Sequence, residues 1–343
     1  MLSMHRFPIA ITRQSLLSVK KGNLRQIVFK DGKWTGRGGS SRLQSRVELI
    51  SESNTLQIQS KGRLLGPFFF TAGFTGSCFA LASIWEYENM RSKALQFKQK
   101  TTNWIERQQN NLKNGSFRNH MNKWWNSQNL TEGQKLFYCI LLANTTVFLA
   151  WKIPSMRPFM ISYFCSNPFA RAVCWPMVFS TFSHNMFLHF GANMYVLHSF
   201  MNVTTHSNMG KEQFLGFYLS AGVISSLASH IFKTALRMPG VSLGASGAIM
   251  GVLAYFCSQH PDAQLQIALV PGFTFTADSG LKAILCLDTV GLIMRWKLFD
   301  HAAHLGGALF GLFWSHWGQK DIWNRRVHFM QKWHNFRNGS KSD

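Results

Sequence analysis

The chain has 343 residues, 46% of them hydrophobic, and a formal net charge of +22 from 36 Lys and Arg against 14 Asp and Glu. This length would ordinarily suggest two soluble domains, but the apolar residues are gathered into long separate runs, which speaks against that and for a polytopic, all-α membrane protein. A mean hydropathy of −0.04 does not oppose that reading, because strongly basic flanking segments dilute the apolar runs in the average.

Residues 1–65 carry twelve Lys and Arg against three acids, Asp31, Glu48 and Glu52. A start such as MLSMHRFPIAITRQSLLSVKKG, basic and poor in acids, resembles a mitochondrial targeting segment; a secretory signal would need an apolar stretch directly after its charges. The competing readings are a disordered basic arm and a patch for nucleic acid or anionic lipid. No basic-aromatic module supports nucleic acid. The six cysteines (Cys78, Cys139, Cys165, Cys174, Cys257, Cys286) form no CxxC pair and fall in or beside apolar runs, so they read as small apolar fillers rather than zinc ligands or a disulfide framework.

Residues 66–85 are uncharged over twenty positions, enough at about 1.5 Å per residue to cross a hydrocarbon core of about 30 Å. Residues 86–133, rich in Asn, Gln and Lys, read as an exposed polar linker with helix-like stretches. Six further apolar segments follow between 134 and 318, at roughly 134–153, 183–201, 213–235, 244–258, 279–296 and 301–318, and 319–343 is a basic tail. Several of the six would fail a simple hydropathy scan because they contain His184, His189, Asn193, His230, Asp288, His301 and His304. Polar groups at membrane depth are costly unless they face a bundle interior or a wet cavity, and they mark sites. Taken singly, His184, His198, His230 and Asp288 are more often satisfied structural or helix-end groups than catalysts.

Depth brings four of these groups together. Only about twelve residues separate Ser246 from the polar stretch SQHPD, a rise of about 18 Å, so Ser246 belongs at the N-terminal end of a helix that starts partway through the membrane. Pro239 and Gly240 turn the chain into it. His304 precedes the polar Gly318, Gln319 and Lys320 by about fourteen residues, and His189 precedes Asn202 by thirteen, with Asn193 four positions on and on the same helical face. These are alternate spans running in one direction, so Ser246, His304, His189 and Asn193 share one layer. Gly247 and Gly251, like Gly307 and Gly311, are four apart, which lets the serine and histidine helices approach along small-residue faces. The bland alternative is ordinary helix packing with an incidental Ser and His. Two such faces, each starting beside a nucleophile or a base, weigh against it.

Chemically, a serine needs a base within hydrogen-bond reach to become a nucleophile, and His304 supplies one without an obvious carboxylate to orient it. The expectation is therefore a dyad, not a triad. Helix N-terminal amides around Ser246, with Asn193 and His189 as donors, suit the oxyanion that forms when a peptide carbonyl is attacked. A soluble hydrolase of the nucleophile-elbow type would need Gly two residues to either side of the serine; position 248 is Ala, and no alternation of strands and helices surrounds it.

These residues carry a resemblance. Gly244-Ala245-Ser246-Gly247, the His189-x-x-x-Asn193 helix and the Ala303-His304-x-x-Gly307-x-x-x-Gly311 helix resemble the rhomboid intramembrane proteases. Residues 176–200 and 273–311 resemble the mitochondrial branch, the presenilin-associated rhomboid-like proteins, and the likeness covers about 134–337. The resemblance implies a rhomboid six-helix bundle at 134–318 with one extra N-terminal transmembrane helix at 66–85, in a 1+6 arrangement. It implies hydrolysis of a peptide bond in or near a substrate's transmembrane helix, with Ser246 as nucleophile, His304 as base, and Asn193, His189 and Gly244 at the oxyanion. It also implies a multi-pass location in the mitochondrial inner membrane, transmembrane protein substrates including a kinase and dynamin-like GTPases, and no cofactor or metal. One departure stands out: where many bacterial rhomboids have an aromatic residue four after the serine, stacked on the catalytic histidine, this chain has Met250.

The rival readings are a rhomboid-like factor that binds and delivers membrane proteins, and a transporter or channel built on the buried histidines. The expected topology has the N-terminus in the matrix, seven spans and the C-terminus in the intermembrane space. Charge opposes it, because the linker (eight Lys and Arg, four acids) and the tail (six and two) would both lie outside the matrix.

Overall fold

The computed structural model describes residues 64–102, 130–207, 209–266, 272–297 and 299–339; the expected targeting segment and most of the polar linker lie outside them. Helix α1 (Leu65–Thr102) is followed by α2 (Glu132–Lys152), two short helices α3 (Arg157–Tyr163) and α4 (Cys174–Phe179), then α5 (Phe187–Ser207), α6 (Lys211–Ala235) and α7 (Ser246–Gln259). A hairpin of β1 (Gln264–Gln266) and β2 (Thr274–Thr276) leads to α8 (Ala277–Ile293), α9 (His301–Phe313) and α10 (Arg326–Asn338). Each of the seven expected spans contains a helix, but the one expected at 183–201 begins only at Phe187, so His184 lies in the turn before it. Among the described residues, three helices are by length and composition alone long and apolar enough to cross a membrane: Leu65–Lys98, Glu132–Lys152 and Lys211–Ala235. Helices α7, α8 and α9 are only 14, 17 and 13 residues long, short of a full crossing at about 1.5 Å per residue.

Local chemistry sets the helix ends. At α2, the Thr131 hydroxyl accepts from the Gln134 amide at 3.1 Å and the Gln134 carboxamide accepts from the Thr131 amide at 2.9 Å, a reciprocal capping box; Pro154 follows its last turn. The hairpin is antiparallel with Leu265 opposite Phe275, and Thr276 at its end caps α8. Helix α6 is the centre of the bundle: Ser220, Ala221, Val223 and Ser229 are inaccessible, and α1, α7 and α9 all pack on it. Helix α7 is buried from Gly247 to Cys257, so every face of it meets protein. In lipid, such packing rests on close van der Waals contact between small residues rather than on exclusion of water. Cys78, Cys165 and Cys257 are buried, in keeping with a filler role.

The short helices α3 and α4 and the β hairpin are additions to the expected all-α elements, and two further elements differ from expectation in extent or winding. Helix α1 continues well past 85, and its extension binds the C-terminal region: Glu86 pairs with Arg326 at 2.5 and 2.7 Å, and Glu88 accepts from Trp333 at 3.0 Å and Arg337 at 2.8 Å. The residues read as linker and tail thus partly form one docked helix pair. The last span widens from α-helix at Phe313 into a π-helical segment, Trp314–Ile322. There the buried Trp314 ring stacks on Phe79 of α1 at 4.1 Å and lies where a Cβ at Gly318 would go. Fitting an indole against both α1 and its own next turn accounts for the wider winding.

Candidate active site

The chain enters α7 through a constrained turn. Arg237 has φ 51°, Gly240 φ 153° and Gly244 φ 127°. At Gly244 a side chain is doubly excluded, since a Cβ there would sit 2.6 Å from Cε1 of His189 and the backbone is in a region that L residues avoid. The Gly244 amide donates to the Ser180 carbonyl at 2.9 Å, and the Ala245 amide donates to Nε2 of the buried His184 at 3.3 Å. Ser246 is the first residue of α7. Its own amide and the next two have no partner within the helix, as at any helix start.

Nε2 of His304 lies 2.9 Å from Oγ of Ser246. The two helices that carry them meet as the glycine spacing predicts. A Cβ at Gly307 would collide with the Gly247 carbonyl oxygen, one at Gly311 would collide with that of Gly251, and one at Gly251 would lie 3.1 Å from the Gly307 oxygen. Only Gly permits this separation, and with it the serine–histidine contact.

The expectation that His304 lacks a carboxylate is corrected. Oδ1 of Asp288, on α8, lies 3.1 Å from Nδ1 of His304 and 2.6 Å from Nδ1 of His301. A carboxylate only accepts, so its partner nitrogen on each ring carries the hydrogen; in the neutral imidazole this leaves Nε2 of His304 as the acceptor that faces the serine. By itself Asp288 reads as a satisfied structural or helix-end group; the sequence signal for more is that it is the sole acid in 279–296, where an unmatched charge would be expensive. His301 needs Gly291, one turn beyond Asp288 on α8, because a Cβ there would lie 2.5 Å from its ring. Ligating atoms of Asp288, His301 and His304 lie within 4.8 Å of one another. Their 2.6 and 3.1 Å N–O separations are those of hydrogen bonds, however; donors around a zinc ion at about 2.0–2.2 Å would stand roughly 3.4 Å apart.

His189 lines the turn before Ser246 through its contact at Gly244, with its ring centroid 5.0 Å from that of His184. Nδ2 of Asn193 donates to the His189 carbonyl at 2.8 Å, which leaves its second hydrogen for another acceptor. Gly244 does not fit an oxyanion role, since its amide is committed to Ser180; what it supplies is the turn. The aromatic neighbour of the His304 ring is Phe299, at 5.9 Å between centroids and 33° between planes. Met250 instead belongs to the apolar cluster that includes Leu253, Ala254, Leu281 and Ala308.

The family profile described as Rhomboid domain matches residues 171–318. The chain is 48% identical over 280 residues to the presenilin-associated rhomboid-like protein, mitochondrial, of Bos taurus, an alignment covering 81% of this chain and 73% of the bovine one. The protein of the same name from Rattus norvegicus is 49% identical over 282 residues, with the same coverage. Rhomboid protease GluP of Bacillus subtilis is 29% identical over 145 residues, 42% of this chain and 26% of the bacterial one.

Proposed function

Because the chain belongs to the rhomboid family, we propose that it is an intramembrane serine endopeptidase of the mitochondrial inner membrane that cleaves transmembrane or membrane-proximal segments of other proteins. The observation that carries this reading is the 2.9 Å contact between Ser246 Oγ and His304 Nε2, with Asp288 on the ring's other nitrogen. The location rests on the mitochondrial relatives and on the long apolar helices.

In this mechanism His304 takes the Ser246 proton as Oγ attacks a peptide carbonyl carbon, and Asp288 holds the ring in the required tautomer and steadies the imidazolium. The carbonyl oxygen becomes an oxyanion beside the N-terminal amides of α7, where the helix dipole also favours negative charge. Asn193 and His189 are the side-chain donors of this pocket. Collapse of the tetrahedral species breaks the C–N bond, and His304 returns its proton to the leaving amine. Water then attacks the Ser246 ester by the same route, releasing the acid and restoring the hydroxyl.

The test uses the purified full chain in liposomes with a single-span substrate and a fluorophosphonate probe. Labelling of the wild-type chain and its loss in Ser246→Ala and His304→Ala, together with loss of cleavage and with no further loss in the double variant, is the expected result, since the two groups act as a unit. Cleavage that persists in either variant would refute the assignment.

A further inference from the structure

Two irregular segments deliver the reacting groups, one ending at Ser246 and one ending at Asp300, just before α9. A single carboxylate joins them. Oδ1 of Asp300 accepts from the Ala303 amide at 3.1 Å, and the Asp300 carbonyl accepts from the His304 amide at 3.0 Å, so Asp300 starts the helix that carries the base. Its other oxygen, Oδ2, accepts from Ser229 Oγ at 2.6 Å and Lys233 Nζ at 2.9 Å, one turn apart on α6, and from the hydroxyl of Ser242. Ser242 lies four residues before the nucleophile. It is pinned by a mutual backbone pair with Ser166 at 2.8 and 2.9 Å, and the Ser166 hydroxyl is in turn 2.8 Å from Nε2 of the inaccessible His230.

A helix cap uses one oxygen and is served equally by Asn. The second oxygen of Asp300 gathers three donors, including a cation, from two other elements. Its side chain is 22% exposed and that of Lys233 14%. A partly buried ion pair is weak evidence for stability, and fixing one arrangement against alternatives is its best-attested use. We propose that Asp300 is a positioning residue whose carboxylate sets the nucleophile's approach loop, through Ser242, against the start of the base's helix. This inference rests on reading Ser246 and His304 as the reacting pair only where activity is concerned; the mechanical coupling of the two segments stands apart from it.

The experiment compares the purified full chain with Ser242→Ala, Ser242→Thr, Asp300→Asn and the Ser242→Ala/Asp300→Asn double variant. Four quantities are read: fluorophosphonate labelling, turnover, melting temperature, and hydrogen exchange of peptides covering 239–246 and 299–305. Ser242→Ala leaves the cap untouched, so it is informative even if Asp300→Asn folds poorly. The expected result is that Ser242→Ala lowers kcat about tenfold through misplacement of Oγ, with KM and melting temperature little changed, and speeds exchange in both segments. Ser242→Thr restores both readouts, and the double variant is no worse than Asp300→Asn alone. If Ser242→Ala leaves exchange at 299–305 and kcat as in the wild type, Asp300 is a cap and nothing more. A wild-type chain that neither labels nor cleaves, with exchange still rising in both segments, would overturn the protease reading and leave the coupling intact.

Discussion

Asp288 and His304 stand sixteen residues apart on different helices, yet their side chains meet at 3.1 Å, on the far side of the imidazole from Ser246. The contact completes the order carboxylate, imidazole, hydroxyl, which fixes the tautomer that general-base catalysis needs. His301 approaches the same carboxylate oxygen at 2.6 Å, so Asp288 is held from two directions.

Asp288→Asn therefore removes the charge and allows the amide to present hydrogens to a ring nitrogen that is itself a donor. Turnover in liposomes should fall roughly a hundredfold or more, as loss of the orienting carboxylate costs about 10⁴ in soluble serine proteases. Fluorophosphonate labelling of Ser246 should slow in parallel while the melting temperature holds. Near-normal turnover would mean that the serine and histidine act as an unassisted dyad.

Asn193 is the side chain expected to donate to the developing oxyanion, with the hydrogen not used on the His189 carbonyl. Replacing it with Ala should lower kcat by about ten- to a thousandfold, with His189→Ala comparable or milder. Because His189 also fills the space opposite Gly244, its variant should loosen the turn before the nucleophile. Unchanged kcat in both variants would assign them to structure alone.

The glycine contacts predict a steric result. Gly251→Leu and Gly311→Leu each force a side chain into a space bounded by the partner helix, where overpacking costs roughly 1–3 kcal/mol. Misalignment of Ser246 and His304 should appear as lost labelling before the bundle unfolds on heating. Full labelling in both variants would show that the helices have room to part.

Orientation is tested by protease treatment of mitochondria whose outer membranes have been ruptured, using a C-terminal tag. A matrix N-terminus and seven spans put the tag in the intermembrane space, where it should be digested. A protected tag would mean six spans and an active site opening to the intermembrane space. Charge bias favours that outcome, but it steers long segments weakly, and the uncharged run at 66–85 is too apolar to be left in water.

The sequence by itself located a helix in each of the seven expected spans, because uncharged runs and polar breaks are local properties, and it put Ser246 and His304 at one level, where they meet at 2.9 Å, because helix rise converts residue counts into depth. The two glycine pairs also made the close approach of α7 and α9 readable, since a Cβ at Gly307 or Gly311 would run into the carbonyl of Gly247 or Gly251. Depth carries no information about direction around the bundle axis, so which side of α8 would turn toward His304 was not legible, and Asp288 looked like an isolated acid. Asp300 escaped for the same reason: a cap is a local signal, but its bonds to Ser229, Lys233 and Ser242 join segments that only folding brings together. Gly244 reads from its motif as an amide for the oxyanion, and the tertiary contact with Ser180 decided otherwise. The docking of α10 on the extension of α1 was hidden likewise, because Glu86 and Glu88 read as part of an exposed linker and Arg326 and Arg337 as part of a basic tail until packing made them partners.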